Sequence, residues 1–266
     1  MHASLPGVNL YYVEQGPPES LPVVFLHGFP FSHEMWRPQL EAVGRSYRAL
    51  AYDIRGHGMS DVGDGQYTIE GHVDDLFGFL DYMKIPRAVV VGLSMGGYVT
   101  LRALQRDQTR FLAAVLCDTK SEADTDDGKL KRFEAMKAVK QNGSARFAEN
   151  FVRAVFDPAS FERIPDRVNE IKRIISHLPP LSIAGTLLAL ASRTDTSSSL
   201  PGVSVPVLIL VGENDVTTPV AASRFMHERI PGSELHVIPR AAHMSNLENP
   251  EAFNEKLLGF LARVAR

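Results

Sequence analysis

The chain has 266 residues, of which 44% are hydrophobic and 22% charged, with a formal net charge of −3. That length suits one large α/β domain carrying an insertion, and the charge balance leaves no basic field of the kind that nucleic-acid binding needs. A single cysteine, Cys117, excludes a disulfide framework and a cysteine zinc cluster.

The N-terminal stretch MHASLPGVNLYYVEQG has neither a basic region nor an apolar core of signal-peptide type. The longest apolar runs, AVVV (88–91) and VLILV (207–211), fall far short of the ~18 residues a membrane helix needs. A soluble, cytoplasmic protein without a membrane partner is expected. Residues 8–14 alternate like an outer strand, and QGPPESLP breaks it. VVFL (23–26) reads as a short buried strand, 33–44 as a helix ended by Gly44, and RALAYD (48–53) as the next strand. Residues 69–83 place Ile69, Val73, Leu76, Phe77 and Leu80 at helical spacing, and Pro86 stops that helix. AVVVG (88–92) is a strand, SMGGYVTLRALQRD its following helix, and AAVLCD (113–118) another strand.

Alternating strands and helices predict a mostly parallel central sheet flanked by helices. From 120 to about 200 the strand signal disappears. Helical patches at 129–141, 145–155, 160–176 and 181–192 replace it, punctuated by Pro158, Pro165 and Pro179–Pro180. The strand VPVLILVGEND (205–215), a helix (219–230), a strand (234–239) and a helix (250–264) follow. The expected organisation is a catalytic core of 1–119 and 201–266 with an inserted helical cap at 120–200.

Residues 92–96, Gly-Leu-Ser-Met-Gly, form a G-x-S-x-G motif between a buried strand and a helix. A sharp turn there lifts the Ser94 hydroxyl above the sheet, beside free N–H groups that favour developing negative charge. The alternative is a glycine-rich turn whose serine caps the helix. A serine nucleophile needs an imidazole. His243, between the last strand and last helix, lies on the same carboxyl rim of the sheet as Ser94. Asp215 ends VLILVGEND and is the expected partner of that imidazole, because the order Ser…Asp…His is met. Asp118 also ends a strand and is its rival. The oxyanion of acyl transfer needs two donors. The backbone N–H of Met95 and that of Phe29, in HGFP (27–30), are the candidates, and a cis bond before Pro30 is compatible with that loop.

Other features read as structural. Asp53 and Arg55 in DIRGHG suggest a turn tied by their mutual pairing, and His27 a loop-holding residue. Asp74 and Asp75 fall on the polar side of a helix. Neither they nor Asp124, Asp126 and Asp127 have the spacing of a metal site. The basic residues at 129, 131, 132 and 137 read as a solvated helix face.

HGFP, DIRGHGMS (53–60), GLSMGG (92–97), VGENDVTTP (211–219) and AAHMSNLENP (241–250) together resemble the α/β-hydrolase fold superfamily over nearly the whole chain. LCDTKSEAD (116–124) and the stretch leading into VPVLILVGEND are similar to carboxylesterases related to 3-oxoadipate enol-lactonase. The resemblance implies an α/β-hydrolase fold, a Ser94–Asp215–His243 triad, oxyanion donors at Phe29 and Met95, and no cofactor. The expected activity is hydrolysis of small carboxylic esters or lactones through an acyl-enzyme on Ser94, in a monomer or homodimer. Carbon–carbon bond hydrolysis, N-acyl homoserine lactone hydrolysis and a non-catalytic ligand receptor are the alternatives. Trp36, Met136, Phe147, Phe151, Phe156 and Leu187 are the candidate apolar lining of the substrate pocket.

Overall fold

A computed structural model covers residues 1–266. Its centre is an eight-stranded sheet: β1 (His2–Leu5), β2 (Val8–Gln15), β3 (Pro22–Leu26), β4 (Arg48–Tyr52), β5 (Ala88–Leu93), β6 (Phe111–Cys117), β7 (Val207–Gly212) and β8 (Glu234–Ile238). The spatial order is β1-β2-β4-β3-β5-β6-β7-β8. The β1–β2 and β2–β4 pairs are antiparallel and all others parallel.

Every residue of β5 and β7 is buried, and so are all but one of β6. Helices cover both faces of such a sheet, so its strands read as unbroken apolar runs rather than alternating ones. The edge strand β8 is more exposed, with only Ile238 buried. The sequence pattern gives no sign of β1. Its four residues are too few to show a period, yet Pro6-Gly7, with Gly7 at φ 79°, folds them back onto β2 in a tight hairpin.

Helices α1 (Arg37–Val43), α2 (Ile69–Tyr82) and α3 (Met95–Arg106) make the crossovers between the first parallel strands. The expected helix at 33–44 begins as a 3-10 turn, His33–Trp36, capped by the Ser32 hydroxyl. Thr68 caps α2 by accepting the Gly71 N–H, and Ile69, Val73, Leu76, Phe79 and Leu80 form its buried face. Each such side chain contributes about 1.5–3 kcal/mol of burial.

Between β6 and β7 lie α4 (Asp126–Val155), α5 (Ser160–Arg163), α6 (Pro165–His177) and α7 (Pro180–Ala191). Gly143, at φ 78°, breaks α4 into two segments. Pro165 and Pro180 start α6 and α7, where a missing N–H is harmless. Val139, Ala148, Val152, Ile171, Ile175 and Leu187 of these helices join the same continuous apolar core as the sheet. α8 (Val220–His227), the short α9 (Ser245–Glu248) and α10 (Pro250–Val264) complete the chain. No single helix is long and apolar enough to cross a membrane.

Two local expectations are corrected. Asp53 does not pair with Arg55. It accepts the backbone N–H groups of His33 and Met59 and pairs with the His33 ring at 2.8 Å. Arg55 instead reaches α2 and forms a two-pronged ion pair with Asp75. Asp75 is therefore buried, whereas Asp74 stays solvated and binds Arg106. Helical periodicity shows which side a residue faces but not the cation a neighbouring loop brings to it.

Candidate active site

Ser94 follows β5 and precedes α3, with φ 52° and ψ −110°. A serine held in this left-handed region stores roughly 1–3 kcal/mol of strain, which the surroundings must enforce. Its N–H donates to the Cys117 carbonyl at 2.9 Å, and the Thr119 hydroxyl donates to its carbonyl at 2.8 Å. The glycines around it permit contacts no side chain would. A Cβ on Gly92 would lie 2.3 Å from the Gly96 carbonyl oxygen, and one on Gly96 would lie 2.2 Å from that of Leu26. Strand and helix thus approach backbone to backbone, leaving Ser94 half-buried at the carboxyl rim.

Asp215 and His243 meet at that rim. Asp215 Oδ2 lies 2.8 Å from His243 Nδ1, and both residues are buried. The Thr217 and Thr218 N–H groups donate to Asp215 Oδ1, at 2.8 and 3.0 Å, and the Thr218 hydroxyl donates to Oδ2 at 2.7 Å. Burial pushes this carboxyl up, but His243 and the Thr218 donors outweigh it and hold Asp215 below the ordinary carboxylate range. An ionised Asp215 requires the proton on Nδ1, which leaves the Nε2 lone pair free to act as a base. Asp118, the rival acid, does not touch His243. It accepts the Gly212 N–H at 2.8 Å and contacts the Ser245 hydroxyl.

The HGFP loop lies opposite, its Phe29–Pro30 bond cis. His27 fixes it, with Nδ1 2.9 Å from the Gly28 carbonyl and Nε2 accepting the Ile54 N–H at 2.9 Å. The Phe29 N–H donates to no protein acceptor. The Met95 N–H belongs to the unbonded first turn of α3. Two backbone donors are thus free near the candidate nucleophile.

A cavity of about 320 Å³ lies between the HGFP loop and the inserted helices, lined by Phe29, Phe147, Phe151, Leu187, Lys120 and Arg132 among others. Phe147 and Phe151 stack on each other at 5.4 Å and meet Phe29 edge-on at 6.1 and 5.7 Å. Met136 lines a neighbouring hollow of about 160 Å³ that shares Arg132 and Leu187. Phe156 is buried at the end of α4 and lines neither. Trp36 is a correction. Its side chain is wholly buried between Phe25 and Phe253, at 5.1 and 6.2 Å, because the turn before α1 faces the core rather than the cavity.

The cavity is also more charged than an apolar lining suggests. Arg132 and Lys131 are not a purely solvated face, since both border it. Asp124 is engaged by Arg132 and by the buried Arg193, leaving Lys120 and Lys131 without a carboxylate partner. Burial, with Arg193 and Arg132 nearby, lowers the Lys120 ammonium pKa. Lys120, Thr119, Thr218 and Glu248 escaped sequence reasoning. For Thr119 and Lys120 the available signal was their place just after β6, whereas Thr218 and Glu248 act through partners in the loops around Asp215 and His243 that no local pattern marks. No group of His, Cys, Asp or Glu side chains converges in a way that could hold a metal ion.

Residues 22–250 match the family model of the alpha/beta hydrolase fold. The chain is 30% identical, over 97% of its length and 95% of the relative's, to 3-oxoadipate enol-lactonase 1 of Acinetobacter baylyi. Among solved structures it resembles a thermophilic esterase from Thermogutta terrifontis with malate bound, at TM-score 0.95 and 31% identity, covering 100% of this chain and 99% of that one. It also resembles the enol-lactonase from Burkholderia xenovorans, at TM-score 0.92 and 29% identity, covering 98% and 100%.

Proposed function

The chain belongs to the alpha/beta hydrolase fold family, and on that premise we propose that it is a serine hydrolase of small carboxylic esters or lactones. The observation that carries this reading is the Asp215–His243 hydrogen bond, which frees Nε2 on the rim that presents the strained Ser94. His243 takes the Ser94 proton as the hydroxyl attacks the carbonyl carbon. The N–H groups of Phe29 and Met95 hold the oxyanion. The tetrahedral intermediate collapses as His243 protonates the leaving oxygen, and a water activated by His243 then hydrolyses the acyl-enzyme. In a lactone the leaving oxygen stays tethered to the acyl group, so the product is one hydroxy acid, or its keto tautomer from an enol.

The helices between β6 and β7 supply Phe147, Phe151 and Leu187 as apolar lining of the cavity that Phe29 and Thr217 border. Lys120, Lys131 and Arg132 around the same cavity favour substrates with a second, unreacting carboxylate. The relatives named enol-lactonase, and the malate in the esterase structure, agree with such a class.

Intact-protein mass spectrometry after fluorophosphonate treatment tests the nucleophile. One adduct is expected on the wild type and none on Ser94→Ala. A panel of short p-nitrophenyl esters, lactones followed by proton release at constant pH, and ring-cleavage diketones then tests the bond cleaved. An unlabelled wild type, or turnover of the diketones alone, overturns the proposal.

A further inference from the structure

Asp118 immediately follows β6 beside the candidate triad but takes no part in it. The residue is wholly buried and held at φ 44°, with its N–H donating to the Leu210 carbonyl at 2.8 Å. Its side chain makes two contacts. One oxygen accepts the N–H of Gly212, the last residue of β7, and the other meets the hydroxyl of Ser245, the first residue of α9. Gly212 stands three residues before Asp215, and its carbonyl accepts the Asp215 N–H at 3.2 Å. Ser245 stands two residues after His243. A single carboxyl group therefore joins the turn bearing the triad acid to the turn bearing the triad base, although these belong to different β–α connections.

We propose that Asp118 is a positioning residue that keeps the Asp215 and His243 turns in register without touching the substrate or the imidazole. The proposal rests on the triad reading above. The charged groups that bear on Asp118 are the carboxylates of Asp215 and Glu248. Burial and these two neighbours hold its carboxyl well above the usual range. The carboxyl group satisfies both contacts at once: one oxygen accepts the Gly212 N–H, and the other accepts the Ser245 hydroxyl. An asparagine amide keeps both contacts, its oxygen accepting the Gly212 N–H and its NH2 donating to Ser245 Oγ, which a hydroxyl can accept by rotating, whereas alanine leaves the Gly212 N–H and the Ser245 hydroxyl without partners.

The rate of Ser94 phosphonylation by a fluorophosphonate, followed against pH by intact mass, reads the competence of His243 without requiring the natural substrate. Asp118→Asn is expected to label with the wild-type pH profile, within about 3-fold. Asp118→Ala should label about 30-fold or more slowly, since small misplacements of reacting groups cost up to about 100-fold. The acid limb of its profile should also move to lower pH, because the imidazolium loses its aligned carboxylate. Circular dichroism at each pH confirms that the measured protein is folded. Ser245→Ala removes one contact only and is expected to slow labelling several-fold, which keeps the test open should Asp118→Ala not fold. A profile of Asp118→Ala superimposable on the wild type, an Asp118→Asn as slow as Asp118→Ala, or an unaltered Ser245→Ala overturns the proposal. A wild type that gains no adduct on Ser94 is a separate outcome. It removes the triad reading itself, and the positioning role with it.

Discussion

The carboxylate of Glu248 accepts the backbone N–H of Ala242 at 2.8 Å. Its other oxygen takes the Asp157 N–H at 2.8 Å and the Ser160 hydroxyl at 2.6 Å. Ala242 immediately precedes His243, while Asp157 and Ser160 belong to the helical insert. The His243 N–H in turn donates to Val155, at the end of α4, at 3.1 Å. The insert and the histidine turn are therefore hydrogen-bonded parts of one unit. Glu248→Ala leaves three inward-facing donors without their acceptor, each able to cost about 1–3 kcal/mol. A loss of about 3 kcal/mol in urea unfolding is expected, together with a fall in turnover. Wild-type stability and turnover would show the link to be idle.

Asp215→Asn presents an amide N–H to His243 Nδ1. That favours the tautomer with its proton on Nε2, where the base lone pair should be. Steady-state hydrolysis of p-nitrophenyl acetate should fall by about 10³–10⁴-fold in kcat, with a thermal midpoint close to the wild type. A loss below about 10-fold would mean that another group orients the imidazole.

Lys120→Met removes a half-buried cation from the cavity wall and keeps most of its volume. Hydrogen bonds to charged groups contribute about 1.5–3 kcal/mol, so kcat/KM for half-esters of dicarboxylic acids should drop roughly 10–100-fold. Neutral esters of similar size should change by less than about 2-fold. Equal effects on both would dissociate Lys120 from substrate charge.

Gly96→Ala forces a methyl group to within 2.2 Å of the Leu26 carbonyl oxygen. Backbone does not yield as a flexible side chain does, so overpacking of about 3 kcal/mol is expected. The turn bearing Ser94 should shift with it, and fluorophosphonate labelling should slow in the folded fraction. Unchanged denaturation and labelling would contradict the close approach of β3 and α3.

Burial holds His27 at about 4, and His57 and His72 at about 3. The unfolded chain protonates them near 6.5. Their contribution to stability is therefore fully present above about pH 6.5 and declines as pH falls toward 4 and then 3. The decline reaches about 1.4 kcal/mol per pH unit for each histidine. Asp118 and Glu248, both held above their ordinary values, act in the opposite sense as they take up protons in the folded state. Neither ring nitrogen of His72 has a hydrogen-bond partner. His72→Leu should raise the unfolding free energy at pH 7.5 and make its slope between pH 6 and 4.5 shallower by about one proton. Urea titrations at four pH values measure this, and an unaltered slope would remove His72 from the acid response.

The sequence by itself determined the architecture. Strands buried on both faces must be continuous apolar runs, and AVVV, AAVLC and VLILV could hardly be anything else. Gly92, Ser94 and Gly96 were legible because a sharp strand-to-helix turn demands small residues at fixed positions, and chain order ranked Asp215 above Asp118. The antiparallel β1 was not legible, being four residues without a period. Only the tertiary structure decided what depends on partners distant in the chain. It set Arg55 on Asp75 rather than Asp53, turned Trp36 into the core, brought Lys120 and Arg132 to one cavity, and gave Asp118 to Gly212 and Ser245. Periodicity fixes the face on which a side chain lies. Its partner is fixed by the strand order and by the loops that meet at the sheet's rim, which no local pattern records.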